Sequence, residues 1–298
     1  MRNTLDALRT SGLIADAYRR YLRSLLPIRE PRIAEALARE VTGSRMLTKG
    51  PLLEATPPYE TTLTPRQLVA EGVLHPGFLA PDGPAIPLDR PLYRHQEQAL
   101  RKAVAGRNLV VATGTGSGKT ESFLLPILNV LTAEHAAGEL GPGVRALLLY
   151  PMNALANDQL KRLRELLKRS PHLTFGRYTG DTPESAREAA DIFEALNPGA
   201  ERLPDELLSR EEMRANPPHL LLTNYAMLEY LLLRPADLDL FEGRYGGRWR
   251  FLALDEAHVY DGAKAAEVAM LLRRLHDRVG AGRRLQCIAT SATVGAEP

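Results

Sequence analysis

One cysteine in 298 residues, Cys287, permits no internal disulfide and no cysteine-rich zinc site, a usage that fits a reducing cytoplasm. Long apolar runs are missing as well. No stretch approaches the roughly 18 consecutive apolar residues of a membrane span, so a soluble protein without a membrane partner is expected. Arg2, Asp6 and Arg9 fall in an amphipathic pattern where a signal peptide would need a basic tip and an apolar run, so no signal peptide is expected. Charge of one sign is also lacking: the net charge is +2, from 12 basic and 10 acidic residues over 1–90 and 26 of each over 91–298. A strongly basic footprint is therefore absent, and any hold on nucleic acid must come from local side chains, backbone amides and helix ends. There is no internal repeat and no low-complexity tract.

Two textures divide what is present. Residues 4–26 set Leu5, Leu8, Ile14, Tyr18, Tyr21, Leu22 and Leu25 at mostly helical spacing until Pro27 stops them, and a second short helix is expected after Pro31. From Lys49 to Pro91 proline and glycine are frequent, with one helical island at Thr64–Gly72, where Thr64 suits the N-cap and Pro65 the first helical position. Residues 1–90 thus read as a mostly helical and Pro/Gly-rich accessory arm laid over another surface. After Arg90, six apolar runs at 108–112, 144–150, 173–178, 219–223, 250–255 and 285–290 alternate with helical segments. Runs this apolar suit strands buried on both faces, and the helices between them imply right-handed parallel crossovers. Residues 91–298 therefore predict a doubly wound parallel α/β sheet, with the polar stretch Asp181–Asn216 as a helical excursion.

Thr113–Thr120 reads TGTGSGKT, directly after the first apolar run and directly before the helical run ESFLLPILNVL. Side chains are removed at Gly114, Gly116 and Gly118, so the loop amides, those of Thr115, Gly116, Ser117 and Gly118 among them, can close around a polyphosphate faced by a helix N-terminus. Lys119 supplies a cation to the β- and γ-phosphates and Thr120 a hydroxyl to Mg²⁺, which makes ATP with Mg²⁺ the expected ligand. The first glycine of the usual pattern is Thr113 here. A glycine-rich turn alone suits a structural loop equally well; the order strand, Gly-Lys-Thr, helix is what points to phosphate.

Asp255-Glu256-Ala257-His258 closes the apolar run RFLAL. An aspartate at the carboxyl end of a buried parallel strand is placed to hold the magnesium ion, and the adjacent glutamate to orient and deprotonate a water. In isolation the tetrad would serve as well to cap the next helix.

TGTGSGKT, DEAH and the later Ser291-Ala292-Thr293 resemble motifs I, II and III of the superfamily-two DEAD/DEAH-box helicases, over a core from Tyr93 to Thr293. The segments LYRHQEQAL, YPMNALANDQ and DEAHVYDGAKAAEVAMLLRRL look most like the large bacterial DNA helicases related to YprA/MrfA, some in DNA repair and others in anti-phage defence. The resemblance implies a RecA-like sheet in which Gln96 reads adenine, a pairing that a carboxamide can make with N6 and N7, while Tyr93 or Arg94 stacks on the base. It implies that Pro151 and Asn153, Thr179 and Gly180, and Thr223 and Asn224 grip the backbone of a single strand, DNA being favoured. It gives His258, Ser291 and Thr293 a coupling role. The basic helix 155–169 reads as a solvated face.

The function expected is the first motor domain of an ATP-dependent DNA helicase or translocase, with Lys119, Asp255 and Glu256 catalytic. The alternatives are a nucleotide-gated clamp that does not unwind, and an RNA helicase. The sequence reaches Pro298 five residues after Thr293. A second RecA-like domain, in the same or another polypeptide, is therefore expected to complete the site.

Overall fold

The six apolar runs after Arg90 become strands of one sheet in the computed structural model, which describes residues 6–25, 27–43, 47, 58–114, 116–199, 201–279 and 284–292. Thr115 and Thr293, expected in the phosphate loop and in the coupling motif, lie outside the described residues. The strands are β1 (Leu109–Ala112), β2 (Ala146–Tyr150), β3 (Phe175–Arg177), β4 (Glu206–Leu207), β5 (Leu220–Asn224), β6 (Phe251–Leu254) and β7 (Gln286–Ser291). They lie in the order β1-β7-β6-β2-β5-β3-β4, and every pairing is parallel.

Contacts divide the chain between Pro58 and Tyr59. The first unit holds two amphipathic helices, α1 (Ala7–Leu25) and α2 (Pro31–Gly43), neither of which buries a residue fully; Leu8, Leu13, Ile14 and Tyr21 are exposed. The second unit holds the sheet with α3 (Pro65–Ala70), α4 (Arg94–Val104), α5 (Lys119–Ala136), α6 (Asn153–Leu167), α7 (Ala186–Leu196), α8 (Arg210–Ala215), α9 (Tyr225–Leu233), α10 (Gly243–Gly246) and α11 (Gly262–Val279). No described helix is long and apolar enough to cross a membrane.

Successive residues of β2 point to opposite faces, and each face has its own helical cover. Ala146, Leu148 and Tyr150 pack with Leu100 of α4, Phe123 of α5 and Leu160 of α6, whereas Leu147 and Leu149 pack with Leu228 of α9 and Leu271 of α11. Burial on both faces explains why this strand is a continuous apolar run. Truncating Leu148 to alanine would cost about 2–5 kcal/mol.

Residues 59–90, grouped with the arm by their proline and glycine content, share the sheet's core. Leu68 of α3, Leu74, Phe78 and Leu92 cluster with Phe123 and Leu128. The strap is tied down by Thr62 N donating to Leu92 O, Arg66 N to Leu88 O and Ala85 N to Leu166 O. Thr64 caps α3 as its sequence implies, in a reciprocal pair with Gln67. The excursion 181–216 contains α7 and α8 but also β4, a two-residue strand beside β3 too short to leave a sequence pattern.

Candidate nucleotide and nucleic-acid site

The strand order sorts the motifs. In a parallel sheet, ligands gather outside the carboxyl ends of the strands. Because β1, β7 and β6 are neighbours, their carboxyl ends at Ala112, Ser291 and Leu254 stand side by side; β2, β5 and β3 form the adjoining set, bringing together the ends at Tyr150, Asn224 and Arg177. Phosphate loop, carboxylate pair and Ser291 fall in the first set. The expected backbone-gripping residues fall in the second.

Gly118 is the N-cap of α5 with φ 70°, and Gly116 has φ 75°, left-handed geometry that glycine adopts without cost. Thr113 Oγ1 lies 2.7 Å from Ser117 Oγ, closing the loop base, and Thr113 N donates to Ser291 O at 3.1 Å, tying the loop to β7. Lys119 and Thr120 are buried at the start of α5. Lys119 Nζ lies 3.3 Å from Thr113 O and 3.6 Å from Glu256 Oε1. The cation and the carboxylate thus face the same space.

Asp255 is buried, and Thr290 Oγ1 donates to its Oδ1. Burial, reinforced by the neighbouring Glu256 charge, pushes the Asp255 carboxyl above the usual carboxylate range, against the hydrogen bond from Thr290. Glu256 has φ 50°, the sole positive φ among described non-glycine residues, and its N donates to Thr290 Oγ1 at 3.2 Å. That turn projects the Glu256 side chain back toward Lys119, and His258 Nδ1 lies 3.3 Å from Glu256 Oε2. Oxygen donors of the Thr120 and Asp255 kind are those a hard divalent cation prefers.

Gln96 is buried with both ends of its carboxamide engaged. Its Oε1 accepts from Tyr93 N at 2.9 Å and its Nε2 donates to Gly118 O at 2.9 Å. In this conformation it latches α4 to the loop before α5, with one lone pair of Oε1 and one hydrogen of Nε2 left over. Beside it, His95 Nε2–H donates to Ser117 O at 3.0 Å, and burial lowers the His95 pKa, favouring the neutral ring. Tyr93 stacks on His95 at 5.8 Å, and Tyr59 packs on both, at 5.3 Å from Tyr93 and 5.6 Å from His95. The Tyr59 hydroxyl covers Gly114: a Cβ there would lie 2.8 Å from it. Tyr59, His95 and Thr290 carry no signal in the sequence; their contacts with Tyr93, Ser117 and Asp255 span long separations and follow no period.

On the second set of strand ends, Asn224 Nδ2 donates to Asn153 Oδ1 at 2.6 Å, and Asn153 Nδ2 to Asp181 Oδ2 at 3.3 Å, a ladder across the ends of β5, β2 and β3. Asn224 also caps α9 by accepting from Met227 N at 2.7 Å. Gly180 is exposed. Pro151, Thr179 and Thr223, expected to contact a strand backbone, are buried. Thr223 Oγ1 donates to Tyr178 O at 2.6 Å, so its hydroxyl joins β5 to β3 and is not presented to a phosphate. Arg210 stacks 5.5 Å from the Tyr178 ring centroid and donates to Gly180 O at 3.1 Å, fixing that turn.

The DEAD/DEAH box helicase family matches residues 93–298. Druantia protein DruE of Escherichia coli is 33% identical over 95% of this chain, and the uncharacterized ATP-dependent helicase YprA of Bacillus subtilis is 28% identical over 62% of it. The chain spans 20% of the length of each of these relatives. The crystal structure of the DUF1998 helicase MrfA bound to DNA and AMPPNP aligns with a TM-score of 0.59 and 26% identity, over 80% of this chain and 28% of that one. The DEAD-box helicase Mss116, at 16% identity and a TM-score of 0.55 over 80% of this chain, shares the RecA-like fold. A family match that runs from Tyr93 across the whole sheet places this chain in the DEAD/DEAH box helicase family.

Proposed function

We propose that the chain is the ATP-binding motor domain of an ATP-dependent DNA helicase or translocase of the group that serves DNA repair or anti-phage defence, working in the cytoplasm and completed by a second RecA-like domain. The observation that carries this reading is the sorting of strand ends: Lys119, Thr120, Asp255 and Glu256 gather beyond β1 and β6, and the Asn153–Asn224 pair lies beyond the adjoining β2 and β5. Lys119 neutralises the β- and γ-phosphates, and Glu256 accepts the proton of the water that displaces ADP from the γ-phosphoryl. Thr120 and Asp255 would hold Mg²⁺, which when bound offsets phosphate charge. Exposed Gly180, the Asn153–Asn224 ladder and the N-terminus of α9 hold strand phosphates without reading sequence. DNA is favoured because the similar MrfA structure contains DNA.

The test is steady-state ATP hydrolysis by the full-length protein containing this chain, with single-stranded DNA, single-stranded RNA or neither. DNA-stimulated turnover that Lys119→Ala abolishes is expected. Stimulation by RNA alone would replace the DNA reading, and turnover indifferent to both would leave a nucleotide-gated clamp.

A further inference from the structure

The far end of α5 carries a second cluster of chemistry-bearing side chains. His135 lies sixteen residues beyond Lys119, about 24 Å along the helix axis. There it meets His172, from the loop between α6 and β3, and Asp82, from the strap that precedes α4. One ligand atom from each residue lies within 4.8 Å of the other two. Asp82 Oδ2 is 3.6 Å from His135 Nε2 and 3.9 Å from His172 Nδ1. Both separations are too long for hydrogen bonds. They lie close to the roughly 3.3–3.4 Å that separates two ligands of a tetrahedral ion bound at about 2.0–2.1 Å. We propose that Asp82, His135 and His172 form a binding site for a borderline divalent transition-metal ion, zinc being the ion best suited, with solvent completing the shell.

The donor set selects the metal class. Two imidazoles with one carboxylate suit zinc and its neighbours, and leave magnesium and calcium poorly served. The imidazoles stack at 3.5 Å with an interplanar angle of 11°, and a metal draws each lone pair in its ring plane, so binding splays the rings. The His135 ring is exposed and the His172 ring partly buried. The third ligand is anchored independently: Ser170 Oγ donates to Asp82 O at 2.8 Å, and Ala85 N to Leu166 O at 2.6 Å, holding the Asp82 turn against the end of α6. A bound ion would staple the strap to α5 and to the α6–β3 loop.

The experiment is a calorimetric titration of zinc chloride into the tag-free, EDTA-dialysed chain, alongside thermal melts with and without zinc. One saturable equivalent and a raised Tm are expected in the parent. His135→Gln and His172→Gln should each weaken zinc at least about tenfold and lose the Tm response, as ligand loss requires. Asp82→Asn, which keeps the backbone bond from Ser170, should weaken it likewise. His276→Gln, at an exposed histidine of α11, should change nothing, and the metal-free melts of all variants should match the parent. Absence of saturable binding in the parent, or parental affinity in both histidine variants, overturns the site.

Discussion

Gln96 Nε2 donates to the carbonyl of Gly118 at 2.9 Å, so the residue expected to read the base is bonded to the loop expected to hold the phosphates. Gly118 permits this approach because a Cβ there would lie 2.5 Å from the same nitrogen. Gln96→Ala removes both the latch and the cap on Tyr93 N. Loop organisation matters equally to every nucleoside triphosphate, so ATP and GTP affinities should both fall about tenfold, equivalent to roughly 1.4 kcal/mol. Titration with fluorescent analogues of both nucleotides checks this, and a loss confined to ATP would return Gln96 to base reading alone.

Glu256→Gln keeps the side-chain shape but removes the proton acceptor. With its N still bonded to Thr290 Oγ1, the residue should hold its left-handed turn at φ 50°. ATP affinity should stay within about twofold of the parent while turnover in the full-length motor drops about 10²–10⁴-fold. Parental turnover would remove Glu256 from the chemistry.

Thr290→Val deletes the hydroxyl that donates to Asp255 and accepts from Glu256 N. Shape is preserved, but a buried carboxylate loses its partner, so stability should fall by about 1–3 kcal/mol. The carboxyl, already raised by burial, should rise further, and Mg-ATP binding should then weaken most at low pH. Denaturant melts and nucleotide titrations at two pH values measure both effects.

The sheet was legible because parallel strands covered on both faces are contiguous apolar runs, and the phosphate loop and carboxylate pair because their residue types follow such strands in a fixed order. What the pattern hid has physical reasons. Leu68, Leu74 and Phe78 reach the core from proline-rich text with no period to betray them. Tyr59 meets Tyr93 across 34 residues, and Thr290 meets Asp255 across 35. The direction of the Thr223 hydroxyl depends on the strand pairing of β5 with β3, which spacing along one chain does not encode.

His219 supplies a pH test of stability. Thr174 N donates to its Nδ1 at 3.0 Å, so the lone pair sits there and Nε2–H faces Gly141 O at 3.2 Å. Burial, aided by the Arg145 charge, lowers its pKa from 6.5 to about 4. The unfolded chain binds the extra proton between these values, so His219's contribution is full above about pH 6.5 and is lost as pH falls toward 4. The span corresponds to about 3 kcal/mol. Asp205, raised to about 6 by burial, acts with the opposite sign: its folded form holds the extra proton, so stability falls as pH rises through that window. The parent's advantage over His219→Gln should therefore grow from pH 4 to 6.5 in urea melts, and a difference constant with pH would refute the assignment.

Lys264 sits where the two sets of strand ends touch. Its Nζ lies 4.7 Å from the Tyr225 ring centroid and 5.5 Å from that of Tyr260, and the two rings meet edge to face at 6.0 Å. Tyr225 follows Asn224 at the start of α9, and Tyr260 follows the carboxylate loop beyond β6. A movement of either loop is therefore felt by the other through one cation. Such contacts contribute about 0.5–2 kcal/mol, enough to set a modest coupling between strand grip and hydrolysis. Lys264→Ala should leave ATP turnover without DNA unchanged in the full-length motor and reduce the stimulation by single-stranded DNA about two- to thirtyfold. Lys264→Arg, which keeps the cation over the rings, should restore most of it. Measuring turnover against DNA concentration separates this from weaker binding: a lowered plateau is the coupling defect, whereas a shifted midpoint with the parental plateau would show that Lys264 merely contacts the strand.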